Sequence, residues 1–342
     1  MTKIDIISGF LGAGKTTFIK KLLQEAVSGE QVVLIENEFG EIGIDGGFLK
    51  EAGVEIREMN SGCICCSLVG DFGQSLKEVL TTYHPDRIII EPSGVGKLSD
   101  VMKAVKDVAA EIQVTLNSAV TIVDAQKCKI YRKNFGEFFN NQIENAGTVV
   151  LSRTDIAPAD KVDLAVEIIR ELNPRAVVVT TPCEELSGKQ LLEIIEKPDT
   201  MEEDLMNELK SHHDHDHEEG SCGCGGHHHD HDHDHEGGCS CGHDHDHHHA
   251  DEVFSSWGLE NVPAMSKETL DQILDELAYG DGFGDVLRAK GMIPGIEKGT
   301  WLYFDLVPEQ YEIRDGKPEY TGKVCVIGAD LKEEELKQAF GR

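Results

Sequence analysis

The stretch SGFLGAGKTT, residues 8–17, constrains this 342-residue chain more than any other. It sets Gly9, Gly14, Lys15 and Thr16 at the spacing G-x-x-x-x-G-K-[ST], after the β-branched run KIDII and before an apolar pattern at Phe18, Ile19, Leu22, Leu23 and Ala26. A strand, a glycine-rich loop and a helix in that order are the context a phosphate-binding loop requires. Gly12 and Gly14 let backbone amides turn inward on phosphate oxygens, Lys15 reaches the β- and γ-phosphates, and Thr16 offers its hydroxyl to Mg²⁺. Ala13 and Thr17 complete the expected nucleotide contacts.

Up to about residue 200, β-branched runs (KIDII, QVVLIE, VEIRE, RIIIE, SAVTIV, TVVLS, AVVVT) alternate with amphipathic segments such as 16–27 and 161–172. The alternation predicts an α/β fold, a P-loop NTPase with a mostly parallel sheet covered by helices on both faces. Ligands then collect at the carboxyl ends of the strands. RIIIEPSG ends a buried strand on Glu91, with Gly94 three residues later. An acid there can hold a magnesium-water shell, and a glycine amide nearby can sense the γ-phosphate. LSRTD follows the run TVVLS, so its Asp155 is placed to accept the N1–H and exocyclic amine that guanine has and adenine lacks. Ser152 and Arg153 depart from the GTPase pattern N-K-x-D at that point.

Composition breaks at residues 211–252, which hold 15 of the 16 histidines, four of the ten cysteines and 12 Asp or Glu, with no Lys or Arg. So little apolar content gives the segment nothing to bury, and disorder without a ligand is the expectation. Imidazoles interleaved with carboxylates and CxC pairs form many overlapping sites for Zn²⁺ or Ni²⁺. The alternative is a solvated linker. Regular structure resumes with VFSSWGL, a helix over 267–278, the strand-like runs TWLYFDLV, QYEIRD and KVCVIG, and a closing helix near 332–340. These predict a smaller α+β C-terminal domain, with Trp257 and Trp301 beside strands as core and rim. The expected division is 1–200, 201–251 and 252–342.

A net charge of −31 argues against nucleic acid or an anionic membrane surface as partner, and no apolar run of 18 residues is present to span a membrane. MTKIDIISGF reads as a first strand rather than a signal peptide, which makes the cytoplasm the expected compartment. Clustered cysteines suit a metalloprotein in a reducing compartment better than a disulfide framework. SGCICCS places Cys63, Cys65 and Cys66 within four positions. They read as soft ligands for Zn²⁺ or a similar ion, with an exposed dithiol and buried structural thiols as the alternatives. Cys128, Cys183 and Cys325 are isolated and read as core.

SGFLGAGKTT, ENEFGEIGID, GCICC and EPSG in that order, followed by LRAKG and YTGKVCVIG, resemble the CobW-type metallochaperone GTPases. The resemblance covers the chain outside about 200–251. It implies that the CxCC loop binds a divalent metal, usually zinc, beside the nucleotide, with Glu36 and Glu41 as carboxylate partners of the three thiols. It also implies a GTP hydrolase that carries zinc to a client metalloprotein under nucleotide control, using GTP and Mg²⁺. In this reading Lys15, Thr16 and Glu91 are the catalytic residues. Insertion of nickel or cobalt is the near alternative, and metal storage with a vestigial nucleotide site the distant one. A homo-oligomer is compatible with each.

Overall fold

Each of the seven β-branched runs becomes a strand of one sheet: β1 (Thr2–Gly9), β2 (Val32–Glu36), β3 (Glu55–Glu58), β4 (Arg87–Glu91), β5 (Val114–Asp124), β6 (Thr148–Ser152) and β7 (Val177–Val179). The computed structural model describes residues 1–36, 55–58, 69–110, 112, 114–197, 201 and 255–341. The strand order is β3-β2-β4-β1-β5-β6-β7, and every neighbouring pair is parallel. Parallel strands packed under helices on both faces run mainly apolar, as β2, β4, β6 and β7 do, while Lys3 and Asp5 interrupt β1 and Glu55, Arg57 and Glu58 make up most of β3. Ile4, Ile6, Val33, Ile35, Ile88 and Ile90 enter one core, while Ile7, Val32, Leu34 and Ile89 enter the other.

Among the described residues six helices cover this sheet: α1 (Lys15–Glu25), α2 (Val69–Tyr83), α3 (Leu98–Ala109), α4 (Cys128–Glu144), α5 (Ala159–Leu172) and α6 (Gly188–Glu196). Phe18, Ile19, Leu22 and Leu23 of α1 pack on one face with Leu191 and Ile195 of α6. α3, α4 and α5 pack on the other through residues such as Val105, Phe139 and Ile169. No helix among the described residues is long and apolar enough to cross a membrane.

A second sheet is antiparallel, in the order β11-β10-β9-β12-β8, from β8 (Ser255–Glu260), β9 (Asp285–Pro294), β10 (Trp301–Val307), β11 (Gln310–Gly316) and β12 (Lys323–Ala329). Helices α7 (Lys267–Tyr279) and α8 (Glu333–Phe340) cover it with Leu270, Leu274, Leu277, Leu336 and Phe340. Ser266 caps α7 by accepting a hydrogen bond from the Thr269 amide, and both tryptophans are buried. The central strand β9 was not predicted. Ile327 pairs with Arg288 but Gly328 with Val286, so Leu287 is an extra residue at a bulge. The bulge puts Val286 on the same core side as Ala289 and Ile293, and no simple alternation survives in the sequence.

The second sheet leans on β7 and α5. Tyr320 carbonyl accepts the amides of Thr180 and Thr181 at 2.9 and 3.1 Å, the hydroxyls of Thr180 and Thr321 lie 2.8 Å apart, and Arg170 pairs with Glu260 at 2.6 Å.

At the amino ends of the strands, opposite the phosphate loop, buried Arg87 binds Asp5, Glu30 and Glu196. Glu196 also accepts from Lys3 and Asn117, both at 3.0 Å, which ties the last residue of α6 to the sheet. Burial alone would raise the Glu196 pKa, but hydrogen bonds from Lys3, Arg87 and Asn117 outweigh it and hold the value below the ordinary 4.5. Its contribution is therefore complete above that pH and is lost as pH falls through the lowered value. Glu196→Gln is expected to reduce stability by about 1 kcal/mol at pH 7, with the gap closing on acidification, in thermal unfolding followed from pH 7 to below pH 4. A gap that stays constant would assign Glu196 no such role.

Candidate functional site

The carboxyl ends of β1, β4, β5 and β6 meet around residues 10–14. Gly9 ends β1, and the loop turns through Gly12 (φ 69°) into Gly14 (φ 105°), the N-cap residue just before α1. A side chain at φ near 105° is strained, so the turn demands glycine at position 14. No side chain caps α1. The first amides of a helix have no intrahelical partner, so those of Lys15, Thr16 and Thr17 are left to a ligand at the positive end of the helix dipole.

Lys15 is 5% exposed, and its Nζ lies 3.8 Å from Oε1 of Glu91, itself 4% exposed. The phosphate-loop lysine and the strand-end acid named from the sequence thus meet in one buried ion pair. Half-buried Thr16 stands on the same turn, and Ala13 is buried beneath the loop while Thr17 is exposed. An uncapped helix start, a buried ammonium paired with a carboxylate and a hydroxyl on the first turn fit a magnesium nucleotide. Thr16 and the Glu91 side would hold Mg²⁺ and its water, and the ion would neutralise charge on the phosphates.

Gly94 presses on the phosphate loop from the β4 side. A Cβ built there would sit 2.9 Å from both the amide nitrogen and Cδ2 of Leu11, so only glycine allows this approach. On the other side, Asp155 is exposed on the loop after β6, which runs close enough that a Cβ on Gly14 would be 3.7 Å from that of Ser152. Arg153 has positive φ (61°), and its guanidinium donates to Gly12 carbonyl at 3.0 Å while pairing with buried Asp124. The departure from lysine at this position thus keeps a cation that ties the loop after β6 to the phosphate loop. Its positive charge inside LSRTD was the available signal.

Glu36 ends β2, and the register sets it opposite Glu91 on one side and Glu58 on the other. Glu41, Cys63, Cys65, Cys66 and residues 211–252 lie outside the described residues. Among the described residues no group of three or more His, Cys, Asp or Glu side chains is placed to hold a metal ion. Cys128 and Cys325 are buried and Cys183 is half-buried, all as free thiols. Burial pushes Cys128 up to about 12 and Cys183 up to about 11, so both stay protonated at neutral pH and are poor metal ligands.

Comparison with known proteins accounts for both sheets. Residues 3–180 match the family model "CobW/HypB/UreG, nucleotide-binding domain", and residues 254–342 match "Cobalamin synthesis protein cobW C-terminal domain". A protein named zinc chaperone CobW from Sinorhizobium sp is 35% identical over 182 residues, 45% of this chain and 51% of that protein. One named zinc chaperone YeiR from Escherichia coli is 33% identical over 155 residues, 45% of this chain and 47% of its own length. The chain spans about half the length of the curated relatives it matches. The solved structure of Zn(II)-bound YjiA GTPase from E. coli aligns over 99% of this chain and 98% of its own, at 19% identity and a TM-score of 0.41.

Proposed function

This chain belongs to the CobW/HypB/UreG nucleotide-binding family, and on that premise we propose that it hydrolyses GTP and uses the nucleotide to control the holding and release of zinc for a client metalloprotein. The observation that carries the catalytic half is the buried pair of Lys15 and Glu91 at the uncapped start of α1. Lys15 is placed to stabilise charge developing on the β- and γ-phosphates. Thr16 and Glu91 orient the magnesium-water shell, and Asp155 reads the base.

The names of the relatives support zinc as the cargo, as do three thiols within four residues. Cys63, Cys65 and Cys66 supply soft donors, and Glu36 or Glu41 a fourth ligand. Glu36 carries that role into the nucleotide site, because its strand neighbour in register is Glu91. In this reading residues 1–200 form the GTPase domain, 201–251 a metal-collecting linker and 252–342 a second domain.

Guanine selectivity tests the base-side assignment. GTP is expected to bind better than ATP by about 10-fold or more, since each unmatched hydrogen-bonding group in a recognition site costs about 1–3 kcal/mol. Asp155→Asn should weaken GTP and relatively favour xanthosine triphosphate, read by competition against a fluorescent nucleotide. Equal affinities for ATP and GTP in the unaltered protein would remove Asp155 from its role. Absence of GTP-dependent phosphate release would leave a metal-binding protein with an idle nucleotide site.

A further inference from the structure

We propose that Gln142 is a positioning residue for the γ-phosphate, holding the loop after β4 against the phosphate loop; this rests on the GTPase reading above. Gln142 lies on α4, outside every nucleotide motif of the sequence, and is fully buried. Its Nε2 donates to the carbonyls of Gly94 at 3.2 Å and Gly96 at 2.9 Å. Two carbonyl acceptors require the amide nitrogen and fix the orientation of the side chain.

The neighbouring residue grips the first turn of α3, into which the same loop runs. Asn141 Oδ1 accepts from the Ser99 amide at 3.2 Å, and its Nδ2 donates to Ser99 Oγ at 3.1 Å. Gly94 is meanwhile wedged against Leu11 of the phosphate loop. The loop is thus clamped between α4 and the phosphate loop, and Gly94 cannot withdraw from Leu11 without disturbing the bonds to Gln142. Oε1 of Gln142 is buried and has no donor among the described residues, so the polar end of this side chain is engaged only with the loop. Among the described residues this side-chain amide bonds only that loop, so its loss is expected to bear on triphosphate more than on diphosphate.

Thr121 supplies an internal control. Its hydroxyl donates to the backbone carbonyl of Gln142 at 2.7 Å, on the same residue but away from the loop. The experiment measures affinity for GDP and for a non-hydrolysable GTP analogue by calorimetry, with melting temperature alongside, in the full-length protein and its Gln142→Met, Gln142→Asn and Thr121→Val variants. Gln142→Met keeps volume and removes the donors. It is expected to weaken the analogue about 10-fold while GDP changes by no more than about 2-fold, the size expected when buried carbonyls lose their donors. Gln142→Asn restores an amide on a shorter stem and is expected to recover part of the discrimination, and it carries the test if the Met variant does not fold. Thr121→Val should lower the melting temperature with the affinity ratio unchanged. Equal weakening of both nucleotides by the Gln142 variants, or an unchanged ratio, overturns the proposal while leaving the GTPase reading intact. Unaltered protein that binds neither nucleotide overturns both.

Discussion

Lys15→Ala is expected to reduce GTP hydrolysis by at least about 100-fold, with a much smaller effect on GDP binding, because electrostatic stabilisation of a transferring phosphoryl group is commonly worth that much. The Lys15 ammonium is 5% exposed and already directed at Glu91, so it acts where water screens it little. Alanine would also leave the Glu91 carboxylate buried without this cation. Glu91→Gln separates the two consequences: it too should slow hydrolysis, yet it removes the buried negative charge instead of exposing it to solvation loss. Phosphate release at saturating GTP measures both variants. Hydrolysis by Lys15→Ala within a few fold of the unaltered protein would move the chemistry elsewhere.

The second large effect concerns the thiols. In protein lacking residues 211–252, changing Cys65 and Cys66 together to Ser is expected to lower zinc affinity by more than about 100-fold, since losing first ligands exceeds the 10- to 100-fold range of outer-shell changes. The deletion is needed because 15 histidines and four cysteines in that segment would mask a single tight site. Competition with a chromophoric chelator reads the affinity directly. A double variant that still holds one zinc as tightly would place the tight site outside the CxCC loop.

How much of this was legible in the sequence varied with the length scale of the signal. The phosphate loop was fully legible, because strand, glycines, lysine and helix are contiguous and each is dictated by local geometry. All seven strands of the parallel sheet were legible for a related reason: each is a short run carrying β-branched residues, and burial on both faces makes most of those runs apolar. The meeting of Lys15 with Glu91 followed from the rule that ligands gather at carboxyl ends of parallel strands. β9 was hidden because the bulge at Leu287 resets its alternation and Arg288 and Lys290 interrupt its apolar residues. Gln142 and Asn141 were hidden more deeply. A helical Asn-Asn-Gln reads as solvent-facing until the fold brings residues 46 and 48 positions upstream against it. Arg153 was seen only as a departure from a pattern, while its bond to the Gly12 carbonyl shows that a cation at that place serves the phosphate loop. Side-chain roles that depend on long-range contacts leave no local periodicity to read.

Control of zinc by the nucleotide requires one linkage. β2 ends on Glu36, beside Glu91 in register, and Glu41 follows five positions later in the sequence; on the proposed reading these carboxylates link nucleotide to thiols. If GTP favours the arrangement in which Glu36 or Glu41 joins the thiols, then GTP and zinc must strengthen each other by the same factor. The measurement that tests this most directly is a zinc titration of protein lacking residues 211–252, once with GDP and once with a non-hydrolysable GTP analogue. Zinc affinity is expected to be higher in the triphosphate state by about 5- to 150-fold, the usual range of coupling between sites, with the same factor recovered when nucleotide is titrated with and without zinc. Identical zinc affinities in the two nucleotide states would contradict the linkage, leaving a nucleotide site and a thiol site that share a chain and nothing more.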